Sequence, residues 1–455
     1  MRRWESKFQV TNYAQQAVSL GKENTRMENM SDYLAILIFY LPLGVIGAWR
    51  WGAWLFRRLM TLFYRPVSNP YSAPVSVVTP VYNENPEVFH QALKSWQANH
   101  PQEIIAVIDY TDTRCIQEFK QFAKQYSEAN LIITETPGKR PALADGIKAA
   151  KGEILALVDS DTIWDKSLLK QALSPFSDPE VGGVTTRQNV LEPKTIAQRI
   201  FDINLDQRNL DELPFVAAKS DALTCLSGRT ALYRSEAILP FVDDMVNETF
   251  MGKPCIGGDD KRFTYLIESA GWKARYQSSA QVYTSGATKL STLFKQRTRW
   301  ARNSWRADLR ALWQGWVWKH PILAFHLIDR MICPFTLSLS LTYLLTSIFF
   351  KMWLPVAILL VWYLFSRGIK IIPHLKRHPA DIALLPVYVF ANFAIAIIRI
   401  YGLLTLNRQD WITRRDTHRA PKTGVPHLIL ARIGTFAVII ILAVIVVHFR
   451  SALTF

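Results

Sequence analysis

Cysteine is scarce in this chain. Four residues, Cys115, Cys225, Cys255 and Cys333, are spread over 455 positions, with none of the spacings that gather thiolates on a metal. A disulfide framework is therefore not expected, and a reducing compartment is the expectation for the middle of the chain. Acidic residues are also in deficit, 37 against 53 Lys and Arg, for a formal net charge of +16. Such an excess suits nucleic acid or an anionic membrane surface. A low-complexity basic tail is missing, and the basic residues stand beside apolar runs, as on the cytoplasmic flanks of membrane proteins. No nucleic-acid partner is expected, and no obligate protein partner is evident. A secretory leader is not expected either, because residues 1–32 are polar and mixed in charge.

What is present is apolar sequence, 49% of the chain, collected in long runs towards both ends. After the polar segment 1–32, residues 33–56 read as a first transmembrane helix containing Pro42. Arg50 would snorkel near its end, and Arg57, Arg58 and Arg65 follow closely. That charge predicts a cytoplasmic domain over 74–287. Residues 288–320 interleave Arg297, Arg299, Arg302, Arg306 and Arg310 with five tryptophans from Trp300 to Trp318, the composition of interfacial amphipathic helices. The remainder, 321–455, reads as a membrane region with spans near 331–350, 353–365 and 427–449. A further run, 385–406, is expected to be at least partly interfacial, because a full crossing would carry the basic loop 407–426 outside. With the first helix this makes about four spans, and an integral protein of the plasma (inner) membrane.

Between these ends, short apolar runs alternate with helical periods. Strands are expected at 75–79, 104–108, 131–134 and 154–158, helices at 84–98, 113–127 and 140–150, and further strands at 181–185 and 223–226. This alternation predicts an α/β, largely parallel, doubly wound sheet. Asp109 and Asp159 then stand at carboxyl ends of strands, where such sheets bind ligands.

Asp159-Ser-Asp161 offers two carboxylates to one hard divalent cation, which a departing nucleoside diphosphate requires. Taken alone, the motif also fits a solvated turn. Lys139 and Arg140 would add positive charge, or simply begin a solvated helix. In Gly257-Gly-Asp259-Asp260, a carboxylate placed for proton abstraction is equally a helix N-cap. In Gln296-Arg-Thr-Arg299-Trp300, Trp and Arg are also ordinary residues of a membrane interface.

The ordered set Asp109, Gly138-Lys-Arg140, Asp159-Ser-Asp161, Gly257-Gly-Asp-Asp260 and Gln296-Arg-Thr-Arg-Trp300 resembles the processive, inverting membrane glycosyltransferases of the GT-A fold. That group includes the cellulose, chitin and hyaluronan synthases. Trp411-Ile-Thr413-Arg414 resembles the Trp-Gly-Thr-Arg gating loop of hyaluronan synthases, with Ile412 in place of Gly. The segment from Cys225 to Arg234 resembles their Cys-x-Ser-Gly-Pro-Leu-Gly-x-Tyr-Arg run, except that Arg229 and Thr230 replace Pro-Leu. The resemblance implies that Asp109 and Asp159 contact the uridine of a UDP-sugar, Asp161 ligates Mg²⁺ or Mn²⁺, and Lys139 and Arg140 add charge. It makes Asp260 the general base, Trp300 the acceptor platform, Arg299 a diphosphate contact and Gln296 an acceptor contact. Trp411, Thr413 and Arg414 would close over the donor; as residues alone they also fit a membrane anchor. Its partners would be UDP-sugar donors, the nascent polysaccharide and the lipid bilayer. UDP-GlcNAc and UDP-GlcA would be the donors of a hyaluronan-like product. The alternatives are another polysaccharide (chitin-like, cellulose, uronic-acid or capsular) or a non-processive enzyme that glycosylates a lipid carrier.

Overall fold

The computed structural model describes residues 45–409, 433–435 and 437–438. The strands are β1 (Val75–Val81), β2 (Glu103–Asp109), β3 (Ala129–Thr134), β4 (Ile154–Val158), β5 (Ile163–Trp164), β6 (Val181–Val190), β7 (Thr230–Arg234), the short hairpin β8 (Thr249–Phe250) and β9 (Lys253–Pro254), and β10 (Lys273–Thr284); β1 to β4 and β6 fall on expected apolar runs, and the others were not expected. All but the hairpin join one sheet in the order β3-β2-β1-β4-β7-β6-β10-β5. The first four strands are parallel, with β1 between β2 and β4. The carboxyl ends of β1, β2 and β4 therefore adjoin. Helices α1 (Val45–Met60), α2 (Pro86–Gln97), α3 (Thr113–Ala123) and α4 (Lys139–Ala149) precede β4 in the chain. One core face packs Val77, Ile104 and Ala156 with Phe89 and Trp96 of α2 and Phe119 of α3. The opposite face packs Val78, Ile105 and Leu155 with Leu143 and Ile147 of α4.

The expectation of a largely parallel sheet needs correction in its second half. β7 runs antiparallel to both β4 and β6. Between β6 and β7 the chain passes through α5 (Ile196–Gln207) and a turn of π-helix over Arg208–Glu212. It re-enters the sheet with Thr230 opposite Val158, which delivers residues 225–229 to the carboxyl end of β4. The expected strand at 223–226 is absent as well. Leu223 and Leu226 are fully buried, yet their N–H groups donate to Glu268 Oε1 at 2.6 Å and Thr264 Oγ1 at 2.8 Å. Both acceptors sit on α6 (Asp259–Ser269). Side chains satisfy this backbone where a strand would need a ladder, so apolar character alone misleads here.

The 25-residue α7 (Leu290–Gln314) leads to α8 (Pro321–Phe349), α9 (Trp353–Lys370) and α10 (Leu385–Leu404). Among the described residues three helices are long and apolar enough to cross a membrane, over Pro321–Phe349, Trp353–Lys370 and Pro379–Leu404. Phe349, Trp353, Val361 and Phe390 are exposed on them, as lipid-facing side chains would be. Arg50 and Arg57 of α1 do not snorkel freely: their guanidiniums donate to Asp329 of α8 at 2.5 and 2.6 Å. A buried carboxylate without such partners would cost several kcal/mol. Most of the expected span at 427–449 and the loop 410–426 lie outside the described residues.

Candidate functional site

The site is built where β1, β2 and β4 end together. β1 runs on through Tyr82 into Asn83, whose φ of +50° an asparagine tolerates well, and then into Glu84. Glu84 is buried and accepts from Ser160 Oγ at 2.9 Å. Because Ser160 lies between Asp159 and Asp161, this bond fixes the two aspartates relative to the neighbouring strand. Asp109, buried at the end of β2, accepts from the Thr111 N–H at 3.0 Å. Beside these ends lies an open cleft of about 560 Å³ lined by Asn83, Glu84, Asn85, Pro86, Glu87 and Arg114.

Lys139 ties the sheet edge to α6. Its ammonium donates to Asp159 Oδ1 at 2.8 Å and lies 3.1 Å from Asp259 Oδ2. Burial works to deprotonate this lysine, but Asp159 and Asp259 overcome it and raise its pKa above the ordinary value. Burial likewise pushes the Asp259 carboxyl up, and Lys139 with Arg140 brings it below the usual carboxylate range.

Arg140 does something else. It is buried, and its guanidinium is spent on the Met245 carbonyl, on Glu248 at 2.6 Å and on the Gly257 carbonyl at 2.9 Å. The expected pair of nucleotide cations therefore divides: Lys139 faces the carboxylates, while Arg140 holds the loop that precedes α6. That loop turns at Gly258, with φ +82°, a conformation in which glycine has no steric penalty. Asp260 follows in the first turn of α6, half-buried. Its Oδ2 accepts from the Gly228 N–H at 3.3 Å and its Oδ1 from the Lys261 N–H at 2.7 Å. A side chain at Gly228 would meet Lys139 Nζ at 3.3 Å and Asp260 Cβ at 3.5 Å, which shows how closely the motifs converge.

α7 carries the remaining expected residues. Arg299 is half-buried, and burial lowers its pKa against the pull of Asp159, Asp259 and Asp260, so its guanidinium shares their field. Trp300 lies 5.9 Å centroid to centroid from Phe201 of α5. Gln296 is on the same helix, one turn before Trp300, and half-buried. α7 is held in turn by α10: Trp305 Nε1 donates to the Arg399 carbonyl at 2.9 Å and Arg302 Nε to Thr405 Oγ1 at 3.0 Å. The expected gating residues Trp411, Thr413 and Arg414 lie outside the described residues.

For a metal, the donor chemistry at Asp159 and Asp161 fits a hard divalent cation. Carboxylate oxygens stand at an open strand end, leaving other positions for phosphate and water. A second candidate cluster joins Asp202, Asp206 and His374, whose ligand atoms lie within 4.8 Å of one another. There both ring nitrogens of His374 are engaged, by Asp206 and by Asp381 at 2.8 Å each, and Arg377 also pairs with Asp206. That cluster is a charge-compensated clamp between α5 and the segment before α10.

Sequence reasoning missed Glu84 and Phe201. The acidic residue just past a buried strand was a usable signal for Glu84. Phe201 meets the site only through tertiary packing and left no local trace.

A mixed α/β sheet with carboxylates at its strand ends, joined to apolar helices, defines a GT-A-like transferase domain with a membrane region. The sequence model for glycosyltransferase-like family 2 matches residues 73–303, and the chain belongs to that family. It is similar to a type 2 glycosyltransferase of Pyricularia oryzae, at 29% identity over 76% of this chain and 75% of the relative. It is also similar to a hyaluronan synthase of Streptococcus pyogenes serotype M3, at 27% identity over 78% and 87%. Among solved structures, a mannosyltransferase from Pyrobaculum calidifontis, in complex with GDP-Man and Mn²⁺, matches with a TM-score of 0.55 and 20% identity. That match covers 78% of this chain and 96% of the other. The protein is thus a GT-A glycosyltransferase related to hyaluronan synthases.

Proposed function

We propose that the protein is a processive, inverting transferase that builds a polysaccharide from UDP-sugars at the cytoplasmic face of the plasma membrane and passes the chain out between its spans. One observation carries this reading: Lys139, Asp159, Asp259, Asp260 and Gly228, drawn from four separate motifs, are in direct contact. The nucleoside takes the cleft between the ends of β1 and β2, beside Asp109 and Asp159. Asp161 holds Mg²⁺ or Mn²⁺, which offsets charge on the departing diphosphate; the metal in the mannosyltransferase structure supports this choice. Lys139 and Arg299 supply the fixed positive charge there. Asp260 takes the proton of the acceptor hydroxyl, and Trp300 with Gln296 presents the acceptor. The resemblance gives Trp411, Thr413 and Arg414, outside the described residues, the task of excluding water from the donor.

The mutants Asp161→Asn and Asp260→Asn test the division of labour. Both should reduce polymer synthesis sharply, but metal-dependent UDP binding should fall only in Asp161→Asn. Equal loss of UDP affinity in two folded variants would overturn it.

A further inference from the structure

We propose that Arg229 and Arg297 form a subsite that reads the carboxylate of an acidic sugar at the acceptor's growing end. This rests on the acceptor role given to Trp300 above. Phe201 and Trp300 form an aromatic pair, and a guanidinium lies against each of its rings from two different elements. Arg229 Cζ is 5.1 Å from the Phe201 centroid and 5.8 Å from that of Trp300. Arg297 Cζ is 5.7 and 5.4 Å from the same two centroids.

Neither cation has an ion-pair partner among the described residues. Arg229 donates from Nη1 to Gln188 Oε1 at 2.5 Å, its single side-chain hydrogen bond there. Nε of Arg297 is buried without a hydrogen-bond partner. Gln188 also accepts from Arg208 at 3.4 Å, so the amide gathers two cations and neutralises neither. Burial lowers the pKa of both arginines; Asp159, Asp161 and Asp260 pull that of Arg229 part of the way back, whereas the charge of Arg229 lowers that of Arg297 further, to about 10. Stacking on rings offsets part of this, at roughly 0.5–2 kcal/mol per contact. An anion bridging both guanidiniums would offset the rest.

The anion's position follows from the backbone. The Arg229 carbonyl accepts from the Asp159 N–H at 3.3 Å, and the Gly228 N–H bonds Asp260. Arg229 thus follows directly on the residue that touches the base, and its guanidinium is on the Trp300 platform. A hydroxyl approaching Asp260 from a sugar stacked on Trp300 would bring that sugar's substituents to the two arginines. Planar guanidiniums suit a carboxylate, which accepts from a fork in bidentate fashion.

The test uses the full-length protein in nanodiscs with Mn²⁺ and two matched oligosaccharide acceptors, one ending in glucuronic acid and the other in glucose. Transfer from a UDP-sugar is measured for the wild type, Arg229→Gln and Arg297→Gln, with UDP binding as the check on folding. In the wild type, kcat/KM should favour the glucuronate end by roughly tenfold to a hundredfold, the range for charge-assisted bonds. Either substitution should bring that ratio towards one, through KM for the acidic acceptor. No preference in the wild type, or equal loss on both acceptors in UDP-binding variants, would overturn the subsite. A change confined to the KM ratio of UDP-glucuronate to UDP-glucose would place the carboxylate on the donor, and also overturn it. Transfer to neither acceptor from any UDP-sugar would instead sink the proposed function, and the subsite with it.

Discussion

The two halves of the site handle charge in opposite ways. On the proposed donor side, Lys139 is paired with Asp159 and Asp259, and Arg140 with Glu248. On the proposed acceptor side, Arg229 and Arg297 stack on Phe201 and Trp300 with no carboxylate paired to either among the described residues. Compensation within the fold makes a rigid donor platform that persists without substrate. Asp159, Asp161 and Asp260 act on Arg229, and Glu212 on Arg297, without pairing with them, so a ligand's anion can still meet charge that is only partly compensated, and specificity can be written there.

The comparison breaks most visibly at Asp260. Asp260→Asn should lower kcat about 10²–10⁴-fold, the usual value of a positioned base, with UDP affinity unchanged in a titration of the purified variant. Lys139→Met comes next. It leaves Asp159 and Asp259 facing each other without their cation, at a cost of ~3–5 kcal/mol for a broken buried pair, read as a lower thermal midpoint. The pH dependence has a definite sign. Asp259 is held below its ordinary pKa in the folded state, so its contribution to stability is present above about pH 4. That contribution is lost as pH falls through the lowered value. In Lys139→Met the acid unfolding midpoint, followed by tryptophan fluorescence, should therefore move to higher pH.

Arg140→Lys should have a smaller effect. Losing the fork to Glu248 and Gly257 costs ~1–2 kcal/mol and loosens the loop before Asp260. The expected outcome is a modest drop in kcat at constant KM for the UDP-sugar. A change in donor KM would return Arg140 to the nucleotide.

Much of this was legible because local pattern and tertiary role agree. Runs such as Glu103–Asp109 and Ile154–Val158 are strands whose ends carry the expected aspartates, since a buried parallel strand is apolar along its whole length. Neither β7, where no strand was expected, nor its direction was legible: no residue between Thr230 and Arg234 encodes whether the chain enters from above or below. The segment 223–226 has the apolar character of a strand, but Thr264 and Glu268, some forty residues on, supply its hydrogen bonds. Lys139 and Arg140 are adjacent letters that a helix turn separates by about 100°, sending one to the carboxylates and the other into the loop. Long apolar helices were legible from hydropathy, but the pairing of Arg50 and Arg57 with Asp329 was not.

The most direct test of the central claim is product analysis. The purified protein in nanodiscs would be given labelled UDP-sugars, singly and in pairs, with GDP-mannose alongside, in the presence of Mg²⁺ or Mn²⁺, and the product sized. The expected result is a long polysaccharide made from UDP-sugars, abolished by chelation of the metal and reduced at least about a hundredfold by Asp260→Asn. A single sugar transferred to a lipid carrier, or transfer from GDP-mannose alone, would contradict the account.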